Sequence, residues 1–550
     1  SSEPELMFTR SQGQCLCKWI SGSSTRPWIQ RDLHTRQMGF GTDVHHQAPN
    51  AALLLKKKRG SMPGTDRWSK HTTRLCPTTS CRNAGTSCSA MWRSLARRGE
   101  RDVLHGSFGG MFHSEALPGA LPRRQNSPQH PSYGLYPELV SGSAFTVPRA
   151  KNRYSWLYRI RPSVQHAPYH GSDYELMAHK TWLSPPFQHP FPPVQLRFTP
   201  APMSSGDFVD GTVTLAANGS PAAQDGCAAN AYAMSQSMSS KRRFLRVADA
   251  DLLILPQEGV LELRTELGDL QVEPWELAVV PRGLAFQVNL GQQASSARGY
   301  FLENFGDHFV LPELGPIGIS GGLAHPRHFL APQARYEELD GDFELVSKFM
   351  GSLYSSRLRR SLLDVVAWYG SHVPCKYDMR LFMAINTVTY DHPDPSIGAV
   401  LSSYTTSPGL ANVDFVIFPP RWLPAEGTFR PPWFHRNCMS EFMGLLTGTY
   451  DAKPDSFLPG AASIHNRYVP HGPDAAAVKK GTELDGTQPE RYSGTLAFMW
   501  ETRLVWHPSR YALASLSEEG YPSAWQSVEK RFDATETPPL QQPYGFPPTR

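Results

Sequence analysis

Two histidines and a glutamate toward the end of the chain have the chemistry of a metal site. His435 and Glu441 stand six residues apart in the stretch TFRPPWFHRNCMSEFMGLLTGTY, Thr428 to Tyr450. His471 follows in Pro470-His471-Gly472-Pro473-Asp474. Two imidazoles and one carboxylate form the facial set that holds non-haem Fe(II) and leaves positions open for dioxygen and a substrate. The chain has 20 histidines, so such triples also arise by chance, and the alternative for each member is an ordinary satisfied or exposed polar residue. His465 precedes His471 by six and competes as a ligand or substrate contact. Arg436 and Asn437 are candidates to support the ligands, with an ordinary surface arginine the alternative for Arg436.

The spacing limits which elements can position these groups. On a strand successive side chains alternate faces, so an even separation puts His435 and Glu441 on one side. On a helix the same separation rotates them roughly 240° apart, so a shared site favours a strand or a bent ribbon. The rest of the chain reads the same way. The segment Leu252 to Leu290 holds four apolar runs broken at Pro256–Gly259, Gly268–Asp269 and Pro281–Gly283. Leu261, Leu263 and Thr265 alternate with Glu262, Arg264 and Glu266, the period of a half-buried strand. Turns at such intervals predict a sandwich or a small barrel of cupin-like, jelly-roll form. No histidine falls between Arg246 and Asp307, so this barrel is expected to be metal-free.

Further short strands are expected at Val365–Trp368, Phe382–Tyr390, Phe415–Phe418, Glu441–Thr447 and Thr495–Trp500. Residues 109–200 predict strands and loops, Ser220 to Ser240 a surface loop. Trp525, Val528 and Phe532 predict one amphipathic helix. The fold class is therefore mainly β with few helices. Its organisation is read as residues 1–106 an extension, 107–385 an N-terminal β domain with the cupin-like core, and 386–550 a second β domain carrying the iron site.

Composition agrees with a loop-rich β protein. The chain of 550 residues has 49 prolines and 44 glycines, and proline is confined to turns, loops and strand edges. Residues 1–106 hold 17 Lys or Arg against 7 Asp or Glu, a balance of +10 where the whole chain is only +5. That stretch has no sustained periodicity, and is expected to be an unstructured basic extension or an incorrect gene-model translation. Its Lys56-Lys57-Lys58-Arg59 run can also be read as a nuclear signal or nucleic-acid patch and the stretch as a long targeting peptide, while its cysteines at 76, 81 and 88 miss the paired zinc-ligand spacing; no function is given to it. Only Cys227, Cys375 and Cys438 remain in the body, an odd and widely spaced set that fits a reducing cytoplasm better than a disulfide framework. No apolar run approaches the ~18 residues of a membrane span. Phosphate-loop, H-E-x-x-H and G-x-S-x-G signatures are missing.

The wording around the candidate ligands resembles the homogentisate 1,2-dioxygenase family. FRPPWFHRNCMSEFMGL, Val413 to Trp422 and PHGPD carry the resemblance. Upstream it continues through SGSAFT (Ser141 to Thr146), SWLYRI (Ser155 to Ile160), LGPIG (Leu314 to Gly318) and YDHPDPS (Tyr390 to Ser396), covering roughly Gly109 to Phe532. The resemblance implies a ring-cleaving dioxygenase that opens homogentisate with O2 to maleylacetoacetate, in tyrosine and phenylalanine breakdown. It implies His435, Glu441 and His471 as iron ligands, His392 as the acid–base group and Tyr450 as a substrate contact. Trimers paired into hexamers are implied in the same way. Alone, His392 before Pro393 reads as a turn histidine, and Tyr450 as a half-buried strand tyrosine. Tyr369 stands where the family more often has histidine, and Trp433-Phe434 replaces a tyrosine pair. The rival readings are another cupin-type metalloenzyme, such as a sugar isomerase that consumes no O2, or a non-catalytic binding protein of the same fold.

Overall fold

The computed structural model describes residues 105–530, apart from 145–146, 148, 168–173, 178–180, 314–322, 387–397, 408 and 451–456. The expected extension lies outside them except for His105 and Gly106, which pair antiparallel with Ala331 and Leu330.

Three sheets stacked face to face build the body. The middle one has nine strands, in the spatial order 105–106, 329–331, 375–378, 276–280, 251–258, 297–304, 227–234, 212–217 and 507–508. A seven-stranded sheet covers one face. Leu252, Ile254, Ala228 and Phe301 of the middle sheet pack there with Leu261, Leu263, Phe286 and Val346. A six-stranded sheet covers the other face. Leu253, Leu255, Tyr300 and Leu302 pack there with Phe415, Phe442, Ile464 and Trp500. Adjacent residues of one strand thus enter two different cores, as the period of two requires.

Burial on both faces explains why this layer reads as continuous apolar runs, whereas the covering sheet alternates. In Leu261–Thr265 the odd positions are buried and Glu262 is exposed. The fold is mainly β, as expected, with only two α-helices among the described residues, Ala475–Glu483 and Arg510–Ser515. The expected breaks shift slightly. The hairpin turn is Glu266-Leu267, with Thr265 paired to Gly268. Gly268 itself is in the strand at φ +129, where an added Cβ would lie 1.8 Å from the Gln333 carbonyl oxygen. Pro256 is tolerated inside Asp251–Glu258 because the register shifts there.

Three expectations are corrected. Within the expected surface loop Ser220 to Ser240, Cys227–Met234 is a strand with every residue buried. Its alanines are small because sheets press on both sides, and Asn230 satisfies its amide on Thr214 and Glu303. The strand expected from Phe382 is not formed over residues 382–386; a 3-10 turn, Met379–Leu381, and a single bridge from Met383 to Leu323 stand there. The helix expected at Trp525 and Val528 is instead the end of a 3-10 helix, Tyr521–Trp525, with Val528 exposed. Phe532 lies outside the described residues. Tyr369 sits on a separate four-stranded sheet, where it stacks on Tyr158 and its hydroxyl bonds Asn126.

Candidate metal centre

The six-stranded sheet carries the candidate ligands at one end. Its order is 399–404, 411–418, 496–502, 440–447, 462–465 and 196–198. Glu441 is the second residue of Ser440–Thr447, opposite Glu501 on one neighbouring strand and His465 on the other. The strand is buried almost throughout, so the carboxylate is held at its end without solvent around it.

His435 is not on that strand. The Asn437 side chain accepts a hydrogen bond from the Met439 N–H at 3.0 Å and turns the chain before Ser440. Residues before the turn form a ribbon with the loop that holds His471. The His435 N–H donates to the His471 carbonyl at 3.0 Å and the His471 N–H donates back at 3.1 Å. The Tyr468 N–H donates to the Asn437 carbonyl at 2.7 Å. Prolines at 431, 432, 470 and 473 hold both arms extended and stop either from continuing as sheet. The bent ribbon, not a regular strand, therefore brings His435 onto the side of Glu441.

Both imidazoles are oriented alike. Nδ1 of His435 lies 2.8 Å from the Trp433 carbonyl, and Nδ1 of His471 lies 2.9 Å from the Val469 carbonyl. A carbonyl only accepts, so each Nδ1 carries the proton and each neutral ring presents a lone pair at Nε2. These two atoms face Glu441, at 3.3 Å from Oε1 and 3.0 Å from Oε2. The three ligand atoms all lie within 4.8 Å of one another. Three lone-pair donors turned toward one point repel unless a cation lies among them, whether a proton on an imidazole or a metal ion. The hydrogen bond with Glu441 raises the His435 pKa above its ordinary value, against the opposing effect of burial. Burial pushes the Glu441 carboxyl up, but His435 and His471 outweigh it and hold the pKa well below the usual range. The donor set, two imidazole nitrogens and a carboxylate with backbone carbonyls behind the rings, fits a divalent first-row metal.

The other expected residues take different places. His465 stacks on His471, with ring centroids 4.3 Å apart and planes 10° from parallel. Its Nε2 is 2.8 Å from the Tyr521 hydroxyl and its Nδ1 is 4.0 Å from Glu441 Oε2. It backs the cluster and is not one of the three converging groups. Asn437 Nδ2 donates to Glu441 Oε1 at 3.1 Å and also to Glu501. Among the described residues Arg436 forms no hydrogen bond or ion pair with the cluster. Tyr450 lies beyond the far end of Ser440–Thr447, buried against Phe418 and Phe457, and is not brought to the three ligands. His392 lies outside the described residues. Sequence reasoning missed Glu501 and Tyr521, which reach the cluster through strand register and a terminal 3-10 helix that no local motif announces. Trp433 and Phe434 are exposed beside His435.

Similar folds occur among solved structures, at low scores. A putative dioxygenase from Nostoc punctiforme matches at 11% identity and a TM-score of 0.24, covering 61% of this chain and 84% of that one. An oxalate decarboxylase variant from Bacillus subtilis matches at 10% identity and 0.24, covering 67% and 90%. Protein Ylba from E. coli matches at 9% identity and 0.25, covering 56% and 91%. The family model described as homogentisate 1,2-dioxygenase N-terminal matches residues 104–379. The one described as homogentisate 1,2-dioxygenase C-terminal matches residues 380–532 and takes in His435, Glu441 and His471. The chain therefore belongs to the homogentisate 1,2-dioxygenase family.

Proposed function

We propose that His435, Glu441 and His471 bind one Fe(II) ion, and that the chain uses it to open homogentisate with O2 to maleylacetoacetate. The observation that carries this reading is the convergence of three lone-pair donors whose imidazoles are fixed by backbone carbonyls. When bound, the iron supplies open coordination positions for the two substrates and the redox chemistry of ring cleavage.

The protein's own groups do the rest. Nδ1–H bonds to Trp433 and Val469 keep both imidazoles from rotating out of the site. His392 is assigned the proton of the substrate hydroxyl, a task suited to a pKa near neutrality. Tyr450 was expected to hold the acetate carboxylate, but its ring is buried against Phe418 and Phe457 beyond a strand that spans roughly 20 Å from Glu441, and it is given no substrate contact. The proposed assembly is a trimer or hexamer. His465, stacked on His471, keeps that ring in place rather than binding substrate.

Among the described residues no helix is long and apolar enough to cross a membrane. Cys227, Cys375 and the exposed Cys438 are all free thiols, with burial pushing the Cys375 thiol up to about 12; free rather than disulfide-bonded cysteines suit the proposed cytoplasmic location. The test is anaerobic reconstitution of metal-free protein with Fe(II), followed by O2 uptake on adding homogentisate. One iron per chain and one O2 consumed per homogentisate are expected. Full iron occupancy in both Glu441→Gln and His471→Ala would remove the ligand assignment. Turnover without O2 would return the protein to the isomerase reading.

A further inference from the structure

We infer that the 3-10 helix Tyr521–Trp525 is a latch that fixes His471 for its metal, with Trp525 and Tyr521 as positioning residues. The inference rests on the ligand set proposed above and concerns what keeps one member of it in place. The ribbon that carries His435 and His471 is closed by backbone hydrogen bonds between those two residues. An isolated two-stranded ribbon is marginally stable at best, so its position depends on what it is anchored to. The Nδ1–H bond to Val469 fixes the His471 ring only relative to its own loop.

Two side chains of the helix reach that loop by different routes. The Trp525 indole N–H donates to the Gly472 carbonyl at 3.1 Å, one residue past the ligand. The Tyr521 hydroxyl lies 2.8 Å from His465 Nε2, and the His465 ring stacks on that of His471. Trp525 thus ties the ligand's backbone to the body, and Tyr521, acting through His465, holds the plane of its ring. Burial pushes the Tyr521 phenol up, so the hydroxyl keeps its proton and donates it to His465 Nε2. Nδ1 of His465 then carries the ring's own proton and faces Glu441 Oε2, 4.0 Å away. A carboxylate only accepts, so this is the tautomer that the site favours.

A latch holds only if it is itself anchored. Tyr521 is buried, and the buried Arg197 guanidinium lies 4.1 Å over its ring. The Trp525 ring packs beside it, with centroids 5.2 Å apart. Just before the helix, the Glu518 N–H donates to the Arg197 carbonyl at 2.9 Å. Arg197 belongs to the edge strand Leu196–Phe198 and pairs with Ser463 on the strand that carries His465. The helix is therefore clamped to the same sheet that presents Glu441, and it transfers that rigidity to the loop of His471.

The test uses the full-length protein with Co(II), whose visible absorption reports its coordination geometry. Trp525→Phe keeps an aromatic ring and removes the N–H; Tyr521→Phe keeps the ring beneath Arg197 and removes the hydroxyl. Each should weaken Co(II) binding in equilibrium dialysis by about 10-fold, and the two together by up to ~100-fold. The absorption of the bound ion should change as well. A merely structural role would lower Tm and leave the affinity and spectrum of the folded protein as they were. A second readout needs no metal: carbethoxylation of His471 by diethyl pyrocarbonate in the metal-free protein, followed by peptide mass spectrometry. It should run severalfold faster in Trp525→Phe, while His372, buried and held instead by the Arg282 carbonyl, keeps its rate. Should Tyr521→Phe fail to fold, Trp525→Phe, altered at a half-buried ring, decides the matter. Unchanged Co(II) affinity and spectrum, or equal acceleration at His471 and His372, would overturn the latch. Wild-type protein that takes up no Co(II) would instead remove the ligand set, and the labelling of His471 would then decide by itself whether the helix fixes that residue.

Discussion

At the scale of single residues, the candidate centre is a contest between a metal ion and a proton for the same lone pairs. In the metal-free protein His435 titrates above its ordinary 6.5 because it is hydrogen-bonded to Glu441. The imidazolium–carboxylate pair therefore stabilises the fold fully below about pH 6.5 and loses that contribution as the pH rises through the raised value. Glu441 titrates below its ordinary 4.5, so its own contribution is present above that pH and lost only in stronger acid. A metal displaces the proton. The rise in Tm caused by Fe(II), measured anaerobically, should accordingly be small near pH ~6 and larger near ~8. A rise that does not depend on pH would show that no imidazole takes part. Asn437 divides its amide between Glu441 and Glu501 and so fixes the angle of the ligand carboxylate. Asn437→Ala should weaken metal binding by about 10–100-fold, as loss of a group supporting a ligand commonly does; equilibrium dialysis measures it. His392→Ala should instead keep the metal and slow turnover by ~10²–10⁴-fold. Loss of iron along with activity would make His392 a ligand.

At the scale of elements, the ribbon carrying His435 and His471 matters more than the sheet below it. Gly472 allows the ribbon to close, since a Cβ there would fall 2.6 Å from a ring carbon of Phe434 and 2.9 Å from its Cα. Gly472→Ala should push Phe434, and His435 after it, away from Glu441. Metal content is expected to fall while Tm of the metal-free protein changes little, because Phe434 is already exposed; a normal metal content would mean that the ribbon accommodates the methyl. Element by element, legibility in the sequence followed exposure. Leu261–Thr265 showed its alternation because one face meets water. Cys227–Met234 hid because both faces are covered and its residues are small, a pattern that composition alone assigns to a loop. The candidate ligands were readable through local wording, and their approach to one point required the turn at Asn437, for which no periodicity exists. Tyr450 shows the reverse: its motif is legible, yet the length of one strand separates it from the groups it was expected to join.

For the whole molecule, His105 and Gly106 mark where the folded body is already under way, through their pairing with Leu330 and Ala331. Removing residues 1–103 should leave iron binding, turnover and Tm nearly unchanged. Residues 1–103 carry +10 where the whole chain carries +5, and show no apolar face with which to offset an ordering cost of ~1–2 kcal/mol per residue. An insoluble or iron-free product would place part of that stretch against the body. The stacking of the three sheets has a consequence for synthesis on the ribosome. The middle sheet takes an edge strand, His507–Pro508, from near the end of the chain, and the six-stranded sheet takes Leu196–Phe198 from the first half. Chains emerge N-terminus first and fold as they do so. Leu253, Leu255, Tyr300 and Leu302 are therefore translated long before Phe415, Phe442 and Trp500, which will cover them. A nascent chain stalled between these two groups carries a broad sticky face, and a translational pause there is the moment at which this protein most needs a chaperone.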